Sequence, residues 1–171
     1  VILANASDAC VVLAERVAGN SEGMVTLMNN RVRQMGCTST NFSNVYGGDS
    51  GTAYTTARDM ARITVECTRN EKFVALYSRA TYTVPATNRS DARELECTNY
   101  FVYSKNIPKF YDEHVTGGFQ SASTGTGASL TWTANYRNMD MVFVVLGATR
   151  QMYDNGWQVK IYGNFEEGQS L

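Results

Sequence analysis

Histidine is nearly missing from this chain, no sign of charge predominates, and no long apolar run occurs. Each shortage closes off a class of function. There is one histidine, His114, and the four cysteines, Cys10, Cys37, Cys67 and Cys97, form no Cys-x-x-Cys pair. Zinc ligation needs clustered Cys and His, so the sequence predicts no metal and no cofactor. Fifteen Lys and Arg stand against sixteen Asp and Glu, for a net charge of −1. Nucleic acid and anionic membrane surfaces call for a basic footprint, and there is none. No stretch approaches the roughly 20 apolar residues of a spanning helix, and no signal peptide is visible. Membrane anchoring is therefore expected only through segments outside this chain. Its start at Val1-Ile2-Leu3-Ala4 rather than at methionine suggests a fragment or a processed form. Internal repeats and low-complexity tracts are also missing.

What is present suffices for one core. Hydrophobic residues make up 43% of the 171 positions and charged residues 18%, which suggests a single domain over 1–171. A helix is expected from Asp8 to Ala18, capped by Ser7 or Asn5 and stopped by Gly19, with Val11, Leu13, Ala14 and Val17 on its apolar face. A second, from Ser21 to Met35, carries Met24, Leu27, Met28, Val32 and Met35 at steps of three and four. Cys10 and Cys67 fall within apolar helical patterns and are expected as buried free thiols. The polar segment 38–53 is long for a loop, so it is expected to be either functional or disordered. A third helix opens near Tyr54, capped by Thr55 or Thr56, and ends near Arg69. A fourth spans Asn70 to Ser78.

Strands dominate the rest of the chain. Thr81 to Pro85 alternates and is ended by the proline, whereas 86–106 shows no usable pattern. Segments from about Glu113, from Ala128 to Tyr136 and from Met139 to Gly147 read as a sheet. Arg137-Asn138 forms the turn between the last two. Val142 to Leu146 is apolar at every position, the pattern of a central strand covered on both faces. Helices followed by strands indicate an α+β fold, with helices packed on an antiparallel sheet.

Many of these segments resemble one family, in order along nearly the whole chain. Val115-Thr116-Gly117-Gly118-Phe119, with the Val-Val-Leu-Gly-Ala strand after it, is similar to the third motif and last strands of serine D-alanyl-D-alanine carboxypeptidases. These are low-molecular-weight penicillin-binding proteins of the β-lactamase-like superfamily. Asn5-Ala6-Ser7-Asp8-Ala9 resembles the second motif. Gln34-Met35-Gly36 with Thr40-Asn41-Phe42 and Asn44, Tyr54 to Asp59, Thr98-Asn99-Tyr100 and Asn164-Phe165-Glu166 match other family segments. The resemblance implies a β-lactamase/transpeptidase-like fold whose N-terminal part is missing, and an extracytoplasmic place in the bacterial envelope or secreted from it. The implied ligands are a peptidoglycan stem peptide or a β-lactam.

The family chemistry is acyl transfer through Ser-x-x-Lys, Ser-x-Asn and Lys-Thr-Gly elements. Here the first element does not occur: the residues three before Lys72, Lys105, Lys109 and Lys160 are Arg69, Val102, Asn106 and Trp157. The second-motif catalytic positions hold Asn5 and Ser7, where an amide cannot relay a proton as a hydroxyl can. An ordinary helix cap is the alternative role for them. The third-motif substrate-binding positions hold Thr116, Gly117 and Gly118, followed by Phe119, and the lysine is replaced by Thr116. His114, two residues earlier, is expected on the same face as Thr116, either as a partial positive charge or as an exposed structural residue. These residues support three functional expectations. The first is a carboxypeptidase-family domain inactive as this chain stands, and the second a non-catalytic module binding peptidoglycan or protein. A β-lactamase-like hydrolase is the third.

Overall fold

Among the described residues four helices come first and six strands come after them, helices before strands as the sequence predicts. The structure, a computed structural model, describes residues 1–48, 50–99, 101–102, 111–123, 125–153 and 156–160. The helix start expected at Phe165, the Asp154-Asn155 turn, Asp49 and Tyr100 lie outside the described residues.

The helices are α1 (Ser7–Ala18), α2 (Ser21–Gln34), α3 (Ala57–Thr68) and α4 (Glu71–Tyr77). Three begin with a side chain that accepts from an unpaired N–H of the first turn. Asn20 accepts from Gly23 N at 2.7 Å and Thr56 from Asp59 N at 3.2 Å. Asn70 accepts from Lys72 N and Phe73 N. The exception is α1. Its N-cap is Ala6 with no side-chain cap, and Asn5 sits in the left-handed region at φ 48°. The expected capping by Ser7 or Asn5 does not form: Ser7 is already inside the helix. The other end agrees with the sequence, with Gly19 at φ 81° donating its N–H to Glu15 O.

Helix α1 does not bury the face its periodicity suggests, and α2 does so only in part, with Val32 buried, Met24, Met28 and Met35 half-buried and Leu27 exposed. Only Ala14 of α1 is buried, while Val12, Leu13 and Val17 are 63%, 52% and 64% exposed. In α2 the buried residues are Asn29 and Val32. The reason is that α1 packs against α2, whereas α3 and α4 are the helices that pack on the strands. All four cysteines are free. Cys37 and Cys97 are the buried ones, and Cys10 and Cys67 are half-buried.

The loop 38–53 is ordered by side chains bonding to backbone. Asn29 holds Phe42 at both ends, with Nδ2 donating to its O and Oδ1 accepting from its N, each at 2.8 Å. Asn44 Oδ1 accepts from the N–H groups of Tyr46, Gly47 and Gly48. Asn41 and Tyr54 pair through their backbones. Beneath them Asp59, 3% exposed, accepts from Ser39 N at 2.9 Å and Thr40 Oγ1 at 2.8 Å. A buried carboxylate is tolerated here because donors surround it.

Strands β1 (Thr81–Val84) and β2 (Arg93–Glu96) form a two-stranded ribbon. The second was invisible in sequence, since Arg-Glu-Leu-Glu carries a single apolar residue. The main sheet orders β3 (Val115–Ser123), β4 (Gly127–Tyr136), β5 (Met139–Tyr153) and β6 (Gly156–Lys160) as β3-β4-β5-β6, antiparallel throughout. Helix α3 lies on β4 and β5, and α4 on β3. Arg137 and Asn138 both take positive φ, 51° and 63°, as a two-residue hairpin turn that matches strand twist requires. Strand β5 is interior to the sheet, as expected. Its faces are less covered than an all-apolar run implies, however, with Phe143 and Leu146 37% and 36% exposed.

Replacing Asp59 by Ala strands the Ser39 N–H and the Thr40 hydroxyl. Chemical unfolding is expected to show a loss of about 2–4 kcal/mol, with Asp59→Asn losing less because its amide oxygen still accepts.

Candidate functional site

Strand β3 is one of the two edge strands of the main sheet among the described residues and carries Thr116, Gly117, Gly118 and Phe119. An edge presents unpaired backbone donors and acceptors, and two adjacent glycines let something approach that backbone closely. In this structure the close approach is made by the chain's own side chains. A Cβ at Gly117 would overlap the ring of Tyr77, and a Cβ at Gly118 would overlap Nδ2 of Asn99. Both glycines are buried. Neither has a positive φ, so space, not backbone conformation, demands glycine here.

The two faces of the strand are packed differently. Over Gly117 sits an aromatic cluster from α4: Phe73 stacks on Tyr77 at 5.1 Å, and Phe119 meets Tyr77 at 5.2 Å and Phe73 at 6.3 Å between ring centroids. Over Gly118 lies the segment before β3. Asn99, 2% exposed, accepts from Phe101 N at 2.8 Å through Oδ1, and Gln120 Nε2 donates to Thr98 O. Phe101 stacks on Trp132, which stacks on Phe143. The glycine pair is thus clamped between α4 and the strap around Asn99, and among the described residues no strand pairs with the lateral edge of β3.

Tyr77 is 3% exposed, and its hydroxyl has no hydrogen-bond partner of acceptable geometry. Burial pushes its phenol up to about 12, against the favourable influence of the Thr133 hydroxyl and with some help from Cys67 and Cys97. Thr133 is already engaged, its Oγ1 lying 2.8 Å from Thr116 Oγ1. Thr116, the expected third-motif position, is exposed, yet its hydroxyl pairs with another side chain of the same sheet.

A register shift between Val115 and Gly117 marks a bulge at Thr116. Side-chain alternation breaks at a bulge, and His114 lies before the strand, so the expected shared face of His114 and Thr116 does not hold. The imidazole is occupied otherwise. Its Nδ1 is 2.8 Å from Asp112 Oδ1, and its ring meets Tyr136 edge-on at 5.0 Å. The backbone N–H of His114, and then its ring, hold the Asp112 carboxyl below its usual range. Any positive charge on His114 thus faces a carboxylate at once.

Asn5 and Ser7 are both exposed, and their side chains make no hydrogen bond among the described residues. None joins them to 116–119 either, so the two degenerate motifs are not wired together within this chain. The sequence reading missed Tyr77 as part of the site. Its one available signal was indirect: two consecutive glycines in a strand need close neighbours, and an aromatic-rich helix was the nearest candidate to supply one.

The sequence model of the D-alanyl-D-alanine carboxypeptidases matches residues 1–150. Among curated relatives, the D-alanyl-D-alanine carboxypeptidase DacA of Haemophilus influenzae is 34% identical over 149 residues, 86% of this chain and 35% of the relative. DacC of Escherichia coli is 30% identical over 150 residues, 86% of this chain and 34% of the relative. The chain thus spans about a third of the length of these relatives. Penicillin-binding protein 5 of Haemophilus influenzae superposes with a TM-score of 0.70 at 29% identity, over 85% of this chain and 40% of that one. A D-alanyl-D-alanine carboxypeptidase from Mycobacterium tuberculosis gives a TM-score of 0.74 over 91% of this chain and 55% of that one. At 19% identity it attests the fold alone.

Two measurements probe the clamp. Gly117→Ala is expected to lose about 1–3 kcal/mol of stability by overpacking against Tyr77, and less when combined with Tyr77→Leu, because contacting sites are non-additive. For Tyr77 the folded-state value lies above the ordinary 10, so its contribution is complete below pH 10 and fades as pH rises towards 12. Denaturant unfolding is expected to show a fall of roughly 2 kcal/mol across that window, and Tyr77→Phe to remove that component.

Proposed function

Because the chain belongs to the D-alanyl-D-alanine carboxypeptidase family, we propose that it forms one partial carboxypeptidase-like domain whose β3 edge receives the peptide end of a peptidoglycan stem without turning it over. The observation that carries this reading is the state of Thr116. The family reaction needs a cation to bind the substrate's terminal carboxylate, and here that position holds a neutral hydroxyl already bonded to Thr133. No Ser-x-x-Lys occurs anywhere in the sequence, so the chain has no nucleophile with a base one helical turn away. Asn5 and Ser7 at the second motif offer an amide and a hydroxyl in swapped positions. Losing a nucleophile alone costs several orders of magnitude in rate. The chain as it stands is therefore inactive as a carboxypeptidase, and the same argument disfavours a β-lactamase-like hydrolase.

A second reading is favoured by the open edge of β3. An extended peptide can add to such an edge through main-chain hydrogen bonds alone, with no need for the missing lysine. On this reading the chain is a non-catalytic binding module for peptidoglycan or for a protein segment. Both readings assign it to the bacterial envelope, outside the cytoplasm, where the family's substrate lies. They share one ligand class, a stem peptide or the β-lactam that mimics it.

Intact-mass spectrometry after incubation with a penicillin separates turnover from binding. No covalent adduct is expected, and a stable acyl adduct would overturn the inactive reading. Titration with a peptide ending in D-Ala-D-Ala is expected to shift backbone amide signals of 115–120; unmoved signals there would sink the edge as the binding place.

A further inference from the structure

A groove between α2 and the α3–α4 turn gathers positive charge that no part of the acyl-transfer reading uses. Two adjoining concavities of about 450 and 560 Å³ share Arg31, Met35, Glu66 and Arg69 in their walls. Arg62 lines one and Phe73 the other. Three guanidiniums thus line the groove with one carboxylate, an excess of two positive charges in a chain whose net charge is −1.

The way these groups are held leaves donors free. Arg31 Nη2 reaches Glu66 Oε1 at 2.5 Å, and Arg69 Nη1 reaches Glu66 Oε2 at 2.9 Å. Arg62 Nη1 donates to Gly36 O at 2.6 Å. Each guanidinium has five N–H donors in a planar fork, and among the described residues each is engaged through one nitrogen. Glu66 therefore fixes two of the forks without saturating them. The side chains of Arg31 and Arg69 are 58% and 74% exposed, so their remaining donors meet solvent at the groove mouth. Met35 and Phe73 supply apolar wall between the charges.

We propose that this groove is a binding site for a phosphoryl-bearing polyanion, a short linear polyphosphate with at least two charged groups. Guanidinium forks match phosphate oxygens in bidentate fashion. Three of them along an open groove suit a ligand longer than a single ion. The site is distinct from the β3 edge and stands whether or not the stem peptide binds there.

Isothermal titration of the 171-residue chain with sodium tripolyphosphate, at low and at high salt, tests the proposal. Binding that weakens as salt rises is expected. Arg31→Ala and Arg69→Ala are each expected to weaken it about tenfold, the worth of one charge-assisted hydrogen bond. Arg69 is the safer variant for folding, because its side chain is the more exposed of the pair. Arg33 provides the control: it lies on the same helix as Arg31, bonds Asn30 and does not line the groove. Arg33→Ala should therefore change affinity less than about twofold if position rather than total charge decides. The proposal is overturned by an absence of binding at low salt or by equal losses in Arg33→Ala and Arg69→Ala. Citrate binding as tightly as tripolyphosphate would overturn the phosphoryl class.

Discussion

The contact between the Tyr77 ring and the bare backbone of Gly117 fixes how α4 sits on β3. α4 is seven residues long, too short to be stable alone, and it owes its place to what it packs against. With no Cβ at Gly117, the ring lies directly on β3 and brings Phe73 and Phe119 into one aromatic cluster. On the other side of the strand, Gly118 admits Asn99 in the same way. The strand is thereby clamped from both faces, and among the described residues no strand pairs with its lateral edge. The proposed main-chain pairing of a peptide rests on that edge.

The other end of the molecule is held by polar groups. Asn29 and Asp59, both buried, bond to the backbone of the 38–53 loop or to side chains within it. Such bonds contribute little net stability each, but leaving one unmade in a buried place is costly. They tie most of the described residues of a long loop to the helices and to one another.

On the proposed reading, family membership and activity separate in this chain. Residues that maintain the fold, such as the glycine pair, the capping threonine and asparagines and the hairpin turn, are in place. Thr116 bonds Thr133, His114 bonds Asp112, and the side chains of Asn5 and Ser7 bond nothing among the described residues. Family and fold do not by themselves carry an activity.

The order of elements, three of the four helix starts, the Arg137-Asn138 turn and the interior position of β5 were legible from the sequence, because caps, turns and apolar runs act over a few residues. So was the family, through matched segments spread along the chain. Long-range contacts left no such trace. Nothing in Arg93-Glu94-Leu95-Glu96 announces a strand, since its partner Thr81–Val84 supplies the pairing. The apolar pattern of α1 predicted a buried face, yet Val12, Leu13 and Val17 stay exposed, because burial depends on which element lies opposite. Local chemistry determined where helices and turns form. Only tertiary packing decided that Tyr77 and Asn99 would fill the space the glycines leave, and that Arg31 of α2 would join Arg62 and Arg69, from α3 and its C-terminal end, in lining one groove.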